Sequence, residues 1–337
     1  MTRGFVIPKN YRSKLNLYQT EKAIKLIKDY FQLNLGLELN LQRMTAPIFV
    51  MKGTGINDDL SGVEKPVSFK VKDLDKKEVE VVQSLAKWKR LALARYKVPV
   101  GQGIYTDMNA IRPDEVLDNI HSIYVDQWDW EKVISKKERT IEYLKNTVKK
   151  IYECIKQTEI YICNEYPHME PTLPDDIKFI YSEELLKKYP KLTSPEREDK
   201  IAKKYGAVFI IGIGTKLSNG KKHDERAPDY DEWNLNGDII VWNKILNHAY
   251  ELSSMGIRVD EKSLLKQLKL SNKMERKNLY YHKKLLSGEL PLSIGGGIGQ
   301  SRLCMLFLNK AHLGEIQASL WPENMIKECN KNNIFLL

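Results

Sequence analysis

The sequence has few of the features that mark a secreted, membrane-spanning or zinc-bound protein. Its 337 residues include four cysteines and six histidines, all dispersed and without C-x-x-C spacing, so they predict neither a disulfide framework nor a zinc site. No apolar stretch approaches the roughly 20 residues that span a bilayer. The N-terminus also lacks the apolar core of a signal peptide. These absences predict a cytoplasmic protein that has reduced cysteines and no membrane partner.

The chain also lacks a concentrated basic region, although its net charge is +10. The charged runs at residues 75–80, 136–139 and 197–204 mix both signs, which is typical of solvated helix faces. We therefore expect no nucleic-acid partner, although the overall charge leaves RNA contact open.

The order of sequence patterns predicts the fold class. Helical spacing covers about residues 12–34, and strand patterns follow at 37–41, 48–50 and 123–130. A long helix over about 131–165 opens a helical insertion that reaches about residue 205. Strands at 177–181, 207–213 and 238–241, a glycine-broken strand at 293–298 and an apolar helix at 300–308 complete the chain. This order predicts a single α+β catalytic domain over residues 1–337, with a mainly antiparallel sheet flanked by helices.

Residues 295–302 read GGGIGQSR, and this string allows two interpretations. Glycines let a backbone approach phosphate or a flat base closely, but a structural bend would explain them equally well. The position near the C-terminus argues against a dinucleotide-binding loop, as does the arginine that opens the next helix. Arg302 could instead stack on adenine and reach phosphate oxygens.

Two further segments could bind anions or a polar substrate. Arg112 at a strand end and a returning strand predict a hairpin that clamps a nucleotide. Gln127 and Asp129 are two residues apart, so a regular strand would point both to one side; an ordinary surface strand remains the alternative. The cations of residues 84–90 (SLAKWKR) could bind carboxylate or phosphate, or could lie on a solvated amphipathic helix.

Carboxylates in two later segments could hold a metal ion. Asp238 and Glu251, brought together, could bind magnesium, which takes one or two protein carboxylates plus phosphate oxygens. Glu251 and Arg258 are seven apart, so a shared site requires a bulge or turn, for which residues 253–256 are a plausible place. Together these groups outline an ATP-dependent enzyme that activates an amino acid.

The set and its order resemble class II aminoacyl-tRNA synthetases, especially the aspartyl and asparaginyl subgroup. Arg112 matches the second motif of that class and residues 297–302 match the third. The helix of residues 12–34 with the strand reaching Pro47 looks like the first motif, which implies a homodimer. Over nearly the whole chain the sequence resembles asparagine synthetase type A more closely still. The landmark strings are DLSG at 59–62, SLAKWKR at 84–90, YVDQWDWE at 124–131, RAPDYD at 226–231, ELSSMGIR at 251–258 and GGGIGQSR at 295–302.

This resemblance implies ATP-dependent synthesis of L-asparagine from L-aspartate and ammonia through a β-aspartyl-adenylate, with release of AMP and diphosphate. Arg112 should contact the α-phosphate and the reacting carboxylate, and Arg302 should stack on adenine and hold the distal phosphates. Asp238 and Glu251 should bind Mg²⁺. The remaining residues expected to contact ATP are Glu115, His121, Gly297 and Gly299.

The resemblance also implies how aspartate is held. Lys89 and Arg258 align with the cation pair that grips the side-chain carboxylate in aspartyl-tRNA synthetases. Because asparagine synthesis activates that carboxylate, the substrate should lie reversed, with its α-carboxylate against the pair. Three further residues should surround the substrate's ammonium group, namely Ser84, Asp129 and Gln127, the last of which is also a candidate catalytic residue.

Two more carboxylates are candidates for this pocket. We expect Asp58 to bind ammonium and accept its proton, because ammonium is not nucleophilic. An Asx-type turn before Leu60 would also explain Asp58. Asp231 is a pocket carboxylate to which no role is assigned.

The chain departs from the synthetase pattern at two points. Asp114 stands where the second motif has glutamate, with Glu115 next. Val125 stands where an aromatic residue usually covers adenine, with Tyr124 adjacent. These departures concern adenine contacts rather than the reacting groups.

Three rival functions are less consistent with the sequence. Only about 11 residues precede the first predicted helix, so we expect no anticodon-binding domain and no tRNA charging. Thr2 stands where glutamine-dependent synthetases have a nucleophilic cysteine, so we expect no glutaminase domain. A catalytically inactive binding protein would not need to retain Arg112, Asp238, Glu251 and Arg302 together.

Overall fold

A computed structural model describes residues 4–60 and 64–337 of the chain. Ser61 and Gly62 of the DLSG string lie outside the described residues. The α-helices are α1 Leu17–Leu39, α2 Ala86–Arg95, α3 Ile141–Glu165, α4 Ser182–Lys188, α5 Ser194–Tyr205, α6 Glu261–Leu270, α7 Tyr280–Leu286, α8 Gln300–Phe307 and α9 Glu323–Lys331. The strands are β1 Leu41–Arg43, β2 Phe49–Met51, β3 Ser68–Lys70, β4 Glu78–Val81, β5 Gly103–Ile111, β6 Tyr124–Val133, β7 Lys178–Tyr181, β8 Ala207–Ile211, β9 Asp231–Asn243, β10 His248–Arg258 and β11 Ser293–Gly299.

Within the described residues, the central sheet has eight strands in the order β1-β5-β6-β11-β10-β9-β8-β7. Every pairing from β5 to β8 is antiparallel, and only the edge strands β1 and β7 add in parallel. Strands β2, β4 and β3 form a small antiparallel sheet of their own. The predicted α+β class with a mainly antiparallel sheet is confirmed.

The two faces of the sheet have different roles, because side chains alternate along each strand. Trp128 and Trp130 are fully buried in the larger core, which α1, α3 and α8 cover, and Phe31 of α1 packs against Trp128 with ring centroids 4.6 Å apart. The alternate residues Gln127 and Asp129 face the other side and line a cavity. The expected division into a polar pocket face and an apolar packing face is confirmed.

The predicted strand at residues 37–41 is wrong, because α1 continues to Leu39 and β1 begins only at Leu41. The alternating leucines of this segment suit a strand, but Leu35 and Leu39 are buried one helical turn apart while Leu37 is 73% exposed. Asn40 then ends the helix in a left-handed conformation. Helix α1 also begins later than predicted, at Leu17, where Asn16 forms a capping box with Gln19.

The predicted long helix also begins later than expected, at Ile141 rather than near residue 131. Residues 131–133 belong to β6, where Glu131 pairs with Ile104 on one side and Gly295 on the other. Thr140 caps the helix by accepting a hydrogen bond from the Tyr143 backbone N–H. Strand pairing therefore overrides the helical pattern for the first residues. The region up to residue 205 also contains strand β7.

The glycine-rich segment is a continuous strand rather than a broken strand or a bend. Strand β11 pairs with β6 and β10 along its length, and α8 follows at Gln300. No helix within the described ranges 4–60 and 64–337 is long and apolar enough to cross a membrane.

Candidate active site

Two adjoining cavities lie on the polar face of the sheet. We call them the Arg302 cavity, of about 200 Å³, and the Arg258 cavity, of about 300 Å³. Both are lined by Arg112, Glu115, Gln127, Glu251 and Gly297. Of the other predicted residues, the Arg302 cavity has His121, Gly299 and Arg302, and the Arg258 cavity has Asp58, Ser84, Lys89, Asp129, Asp231 and Arg258. Asp238 is the one predicted residue that lines neither cavity.

Helix α2 carries cations into the protein rather than to its surface. Lys89 is fully buried, and its ammonium group donates to Asp129 and, at 3.0 Å, to the carbonyl oxygen of Gly296. Burial lowers the pKa of Lys89. Lys87 and Arg90 are buried as well. The interpretation of this segment as a solvated amphipathic helix is therefore wrong.

Arg258 is clamped by two buried carboxylates. Its Nε and Nη2 donate to Glu131 at 2.9 and 2.7 Å, and its Nη1 donates to Asp231. Burial opposes the charge, but the two carboxylates raise the pKa of Arg258 well above its ordinary value. A guanidinium has five N–H groups, so one on each Nη is left without a partner among the described residues. These two are available for a ligand carboxylate.

The predicted irregularity in β10 is present. The pairing register with β9 shifts between Glu251 and Ser253 and again between Gly256 and Arg258, on either side of the expected place. At the first shift β10 has one residue more than β9, whereas at the second the extra residues lie in β9. The single extra residue of β10 reverses the facing of the side chains that follow it, so Glu251 and Arg258 line the same cavity. The structure therefore brings the two residues together at one cavity, and their roles there stay a prediction.

The glycines of β11 make space for side chains of the neighbouring strand. A Cβ atom at Gly295 would lie 2.0 Å from Oε2 of Glu131. A Cβ atom at Gly297 would lie 2.4 Å from Oε1 of Gln127. The glycines therefore leave space for Gln127 to line both cavities and for the buried Glu131 to reach Arg258.

In the Arg302 cavity, cationic groups meet a carboxylate and an imidazole. The Arg112 guanidinium donates to the carbonyl oxygen of Gln83 at 3.1 Å, and Arg302 donates to the carbonyl oxygen of Glu251 at 3.1 Å. The ring of His121 is 2.8 Å from Asp118, which orients it. Glu115 lines the cavity.

The residues at the two departures from the synthetase pattern have distinct environments. Asp114 accepts a hydrogen bond from the Lys65 backbone at the surface, so Glu115 is the carboxylate of this segment that faces the cavity. Tyr124, Val125, Leu252 and Leu313 also line the Arg302 cavity. These side chains give the Arg302 cavity part of an apolar lining.

Asp238 and Glu251 lie diagonally on the neighbouring strands β9 and β10. Oδ2 of Asp238 is paired with Arg226, whereas its buried Oδ1 has no partner among the described residues. Burial raises the pKa of Asp238 to about 7. No cluster of three or more metal-ligating side chains occurs within the described parts of the chain. The orphaned oxygen and Glu251 fit a cation that completes its shell with phosphate oxygens.

Asp58 is buried with neither carboxylate oxygen hydrogen-bonded to any described residue. Burial raises its pKa to about 6, against the opposing charge of Lys87. The Asx-type alternative is not supported, since Asn57 instead accepts from the backbone N–H groups of Asp58 and Gln83. Asp58 is thus an available acceptor at the cavity wall.

Several charged residues of the site were not predicted from the sequence. Glu131 forms an ion pair with Arg258, and Arg226 forms an ion pair with Asp238. Asp229 accepts from Lys87, Arg276 and His282, which lower its pKa despite burial. Glu131, Arg226 and Asp229 occur inside the landmark strings, so their position next to assigned residues was the available signal.

Solved structures with the same fold define the class. The asparaginyl-tRNA synthetase of Entamoeba histolytica in complex with asparaginyl-adenylate superposes with a TM-score of 0.64 at 14% identity, over 89% of this chain and 66% of that one. The Pyrococcus horikoshii asparaginyl-tRNA synthetase with asparaginyl-adenylate also gives 0.64, at 16% identity, over 90% of this chain and 70% of that one. The chain thus spans about two thirds of the first synthetase's length. The fold is that of a class II aminoacyl-tRNA-synthetase catalytic domain.

Closer relatives identify the family within that class. Residues 18–333 match the family described as Aspartate-ammonia ligase. An aspartate–ammonia ligase of Clostridium perfringens is 61% identical over 331 residues, and one of Parabacteroides distasonis is 59% identical over 339 residues. Each alignment covers 98% of both proteins. The chain belongs to the aspartate–ammonia ligase family and is a ligase.

Proposed function

We propose that this protein makes L-asparagine from L-aspartate, ammonia and ATP through a β-aspartyl-adenylate, releasing AMP and diphosphate. The observation that carries the proposal is the joining of two different cavities at Arg112 and Gln127. The Arg302 cavity suits a nucleotide, and the Arg258 cavity suits a zwitterion. Arg112 lies between them, where the α-phosphate and the reacting carboxylate must meet.

Aspartate is proposed to bind in the Arg258 cavity with its α-carboxylate against Lys89 and Arg258. The two unpartnered N–H groups of Arg258 are suited to bidentate binding of a carboxylate, while Glu131 and Asp231 fix the guanidinium plane. Ser84, Gln127 and Asp129 line the same cavity and would receive the ammonium group. The β-carboxylate is then directed toward Arg112.

ATP is proposed to bind in the Arg302 cavity, with Arg302 on the base and distal phosphates and Arg112 on the α-phosphate. Glu115, His121, Gly297 and Gly299 complete this surface. Asp238 and Glu251 would hold Mg²⁺, which neutralises phosphate charge when bound. Attack of the β-carboxylate on the α-phosphate in line then forms the adenylate, and positioning supplies much of the rate.

Asp58 is proposed to accept the proton that ammonium must lose before it attacks the adenylate. Its unpartnered carboxylate and its pKa of about 6 suit a group that is ionised at neutral pH and still able to hold a proton. The new C–N bond replaces the bond to phosphate oxygen, and AMP leaves.

The protein is also proposed to work as a cytoplasmic homodimer. Leu33 and Leu37 of α1 are 61% and 73% exposed and lie one helical turn apart on one face. Ile48 and Phe49, which follow Pro47, are exposed as well. The proposal thus rests on apolar surface in the segment that resembles the first synthetase motif.

The test is to incubate the protein with ATP, Mg²⁺, aspartate and ammonium and to identify the products. Asparagine should appear with equimolar AMP and diphosphate, and glutamine should replace ammonium poorly. Stoichiometric ADP and phosphate would contradict the adenylate route. Omission of ammonium should leave aspartate-dependent exchange of labelled diphosphate into ATP, which isolates the first half-reaction.

A further inference from the structure

A third cavity shares Asp58 with the Arg258 cavity. We call it the His282 cavity; its volume is about 230 Å³, and Asp58, Asp59, Lys87, Asp229 and His282 are among the residues that line it. Asp58 lines this cavity and the Arg258 cavity. The Asp58 side chain therefore forms part of the wall between them.

Hydrogen-bond acceptors without partners are concentrated at this cavity. Both oxygens of Asp58, Oδ1 of Asp59, Oδ1 of Asp229 and Nδ1 of His282 are buried and unpaired among the described residues. Nε2 of His282 is 3.0 Å from the carboxylate of Asp229, so it must carry the ring hydrogen and Nδ1 is the acceptor of the neutral ring. Buried acceptors without donors are costly, and such a group indicates a missing donor.

Ammonium matches this environment better than other small molecules in the proposed reaction. It has four N–H donors and no acceptor, whereas a water molecule has two of each. The cavity has carboxylates on several sides, and the cations Lys87 and Arg276 are already bound to Asp229 and Asp59. Gly55 lies beside the Nδ1 edge of His282, where a Cβ atom would lie 3.0 Å from Nδ1.

We propose that the His282 cavity binds ammonium and delivers it to Asp58, separately from the route by which aspartate and ATP enter. The inference rests on the proposed function and deepens it. When both substrates fill the two adjoining cavities, they block those cavities as an approach to the adenylate. A separate cavity lets a small cation reach Asp58 while the adenylate remains covered.

The proposed step involves ammonium, the Asp58 carboxylate and the adenylate. Ammonium transfers one proton to the Asp58 carboxylate, and the resulting ammonia moves past it and attacks the β-carbonyl carbon of the adenylate. The C–N bond forms as the C–O bond to the phosphate breaks, which releases AMP. The new amide nitrogen then loses a second proton, so each ammonium consumed yields asparagine, AMP and two protons.

The first test narrows the cavity without changing a charged group. Leu279 lines the His282 cavity, so Leu279→Trp should raise KM for ammonium by about tenfold or more, the effect of losing roughly 1.4 kcal/mol of binding. KM for aspartate and the rate of aspartate-dependent diphosphate exchange should stay near the parent values. Leu265→Trp, at a part-exposed leucine of α6, is the matched control and should leave all three values unchanged.

The second test displaces one acceptor. His282→Gln can still donate to Asp229, but its acceptor is the amide oxygen, which does not occupy the position of Nδ1. The variant should also raise KM for ammonium selectively. If the parent makes asparagine and both variants keep the parental KM for ammonium while exchange is intact, the separate ammonium site is wrong. If the parent makes no asparagine or shows no exchange, the proposed function itself fails.

Discussion

At the scale of single residues, the surroundings of Arg258 limit which replacements the fold tolerates. It is 2% exposed and bonded to Glu131 and Asp231, so Arg258→Ala would leave two buried carboxylates poorly paired and would destabilise the fold. Arg258→Lys keeps the charge but loses the planar set of donors. The lysine variant is therefore the informative one.

We expect Arg258→Lys to lower kcat/KM for aspartate by about 30- to 1,000-fold, corresponding to roughly 2–4 kcal/mol of transition-state stabilisation. KM for ATP should change little, because Arg258 does not line the Arg302 cavity. Steady-state kinetics with each substrate varied would measure both effects. Arg302→Lys should give the opposite pattern, with ATP affected most.

A substrate analogue tests the reversed orientation at the same residue. Aspartate α-amide keeps the reacting β-carboxylate but lacks the carboxylate that Arg258 is proposed to hold. The parent should strongly prefer aspartate, and Arg258→Lys should lose much of that preference. Equal discrimination by parent and variant would show that Arg258 does not bind the α-carboxylate.

At Asp58 we expect a substitution that increases the stability of the fold and abolishes activity. Its pKa rises from the usual 3.8 to about 6, so the protonated form stabilises the fold fully below pH 3.8. That contribution is lost as pH rises through 6. At pH 7.5 Asp58→Asn should therefore raise the free energy of unfolding, by up to about 3 kcal/mol, and below pH 3.8 the gain should be absent. Urea denaturation of parent and variant at pH 7.5 and below pH 3.8 would measure this difference in the free energy of unfolding.

The same substitution should stop asparagine formation while diphosphate exchange continues, because only the second half-reaction uses Asp58. In the parent, the ammonia-dependent step should slow below about pH 6, as the carboxylate becomes protonated. The pKa of Asp58 also depends on the charges of Lys87, Arg112, Asp59 and Asp229. The rate of the ammonia-dependent step should therefore be measured by itself rather than as overall activity. Loss of exchange in Asp58→Asn would contradict the assigned role.

At the scale of elements, two neighbouring glycines of β11 differ in what surrounds the position of an added Cβ atom. A Cβ atom at Gly296 would lie 2.6 Å from the Ser254 carbonyl oxygen and 2.5 Å from Met255 Cβ, on the packed side of the strand. At Gly297 the two closest atoms, at 2.4 and 2.9 Å, belong to the far end of the flexible Gln127 side chain, and Oδ1 of Asp129 lies 3.1 Å away. Only the first contact requires the backbone to move.

We therefore expect Gly296→Ala to destabilise the protein by about 1–3 kcal/mol, as overpacking does. Gly297→Ala should leave the melting temperature near that of the parent but lower kcat/KM for aspartate by about tenfold or more, because a displaced Gln127 loses a charge-assisted hydrogen bond. Thermal unfolding and kinetics of the two variants provide the comparison. If Gly297→Ala is fully active, Gln127 does not hold the substrate.

Local sequence patterns predicted the helices and strands around the site only in part. The helix α8, the returning strand β6 and the polar face of β6 could be predicted, since periodicity and polarity determine them. The boundary of α1 could not, because alternating leucines suit a strand and a helix end equally. The glycines of β11 suggested a phosphate loop or a bend, since the side chains they accommodate come from residues more than 160 positions earlier.

At the scale of the whole molecule, the site depends on strands distant in sequence. The sheet order brings Glu131 of β6 and Arg258 of β10 together, and α2 packs so that Lys89 lies 4.0 Å from Glu131. The resemblance to a family predicted Lys89 and Arg258, but not Glu131, because a glutamate in a strand of mixed polarity appears solvent-exposed. Its burial follows from the pairing of Glu131 with Gly295, which no local pattern reveals.

The homodimer is the prediction that concerns the molecule as a whole. In solution we expect a mass of twice the 39.2 kDa chain, since Leu33 and Leu37 would otherwise expose apolar surface on one face of α1. A two-fold dimer would bury the same surface of each copy. Leu33→Glu with Leu37→Glu should shift light scattering toward the monomer, whereas Leu270→Glu on α6, at an equally exposed leucine that is 64% accessible, should not. A parent protein that is active as a monomer at assay concentration would contradict the prediction.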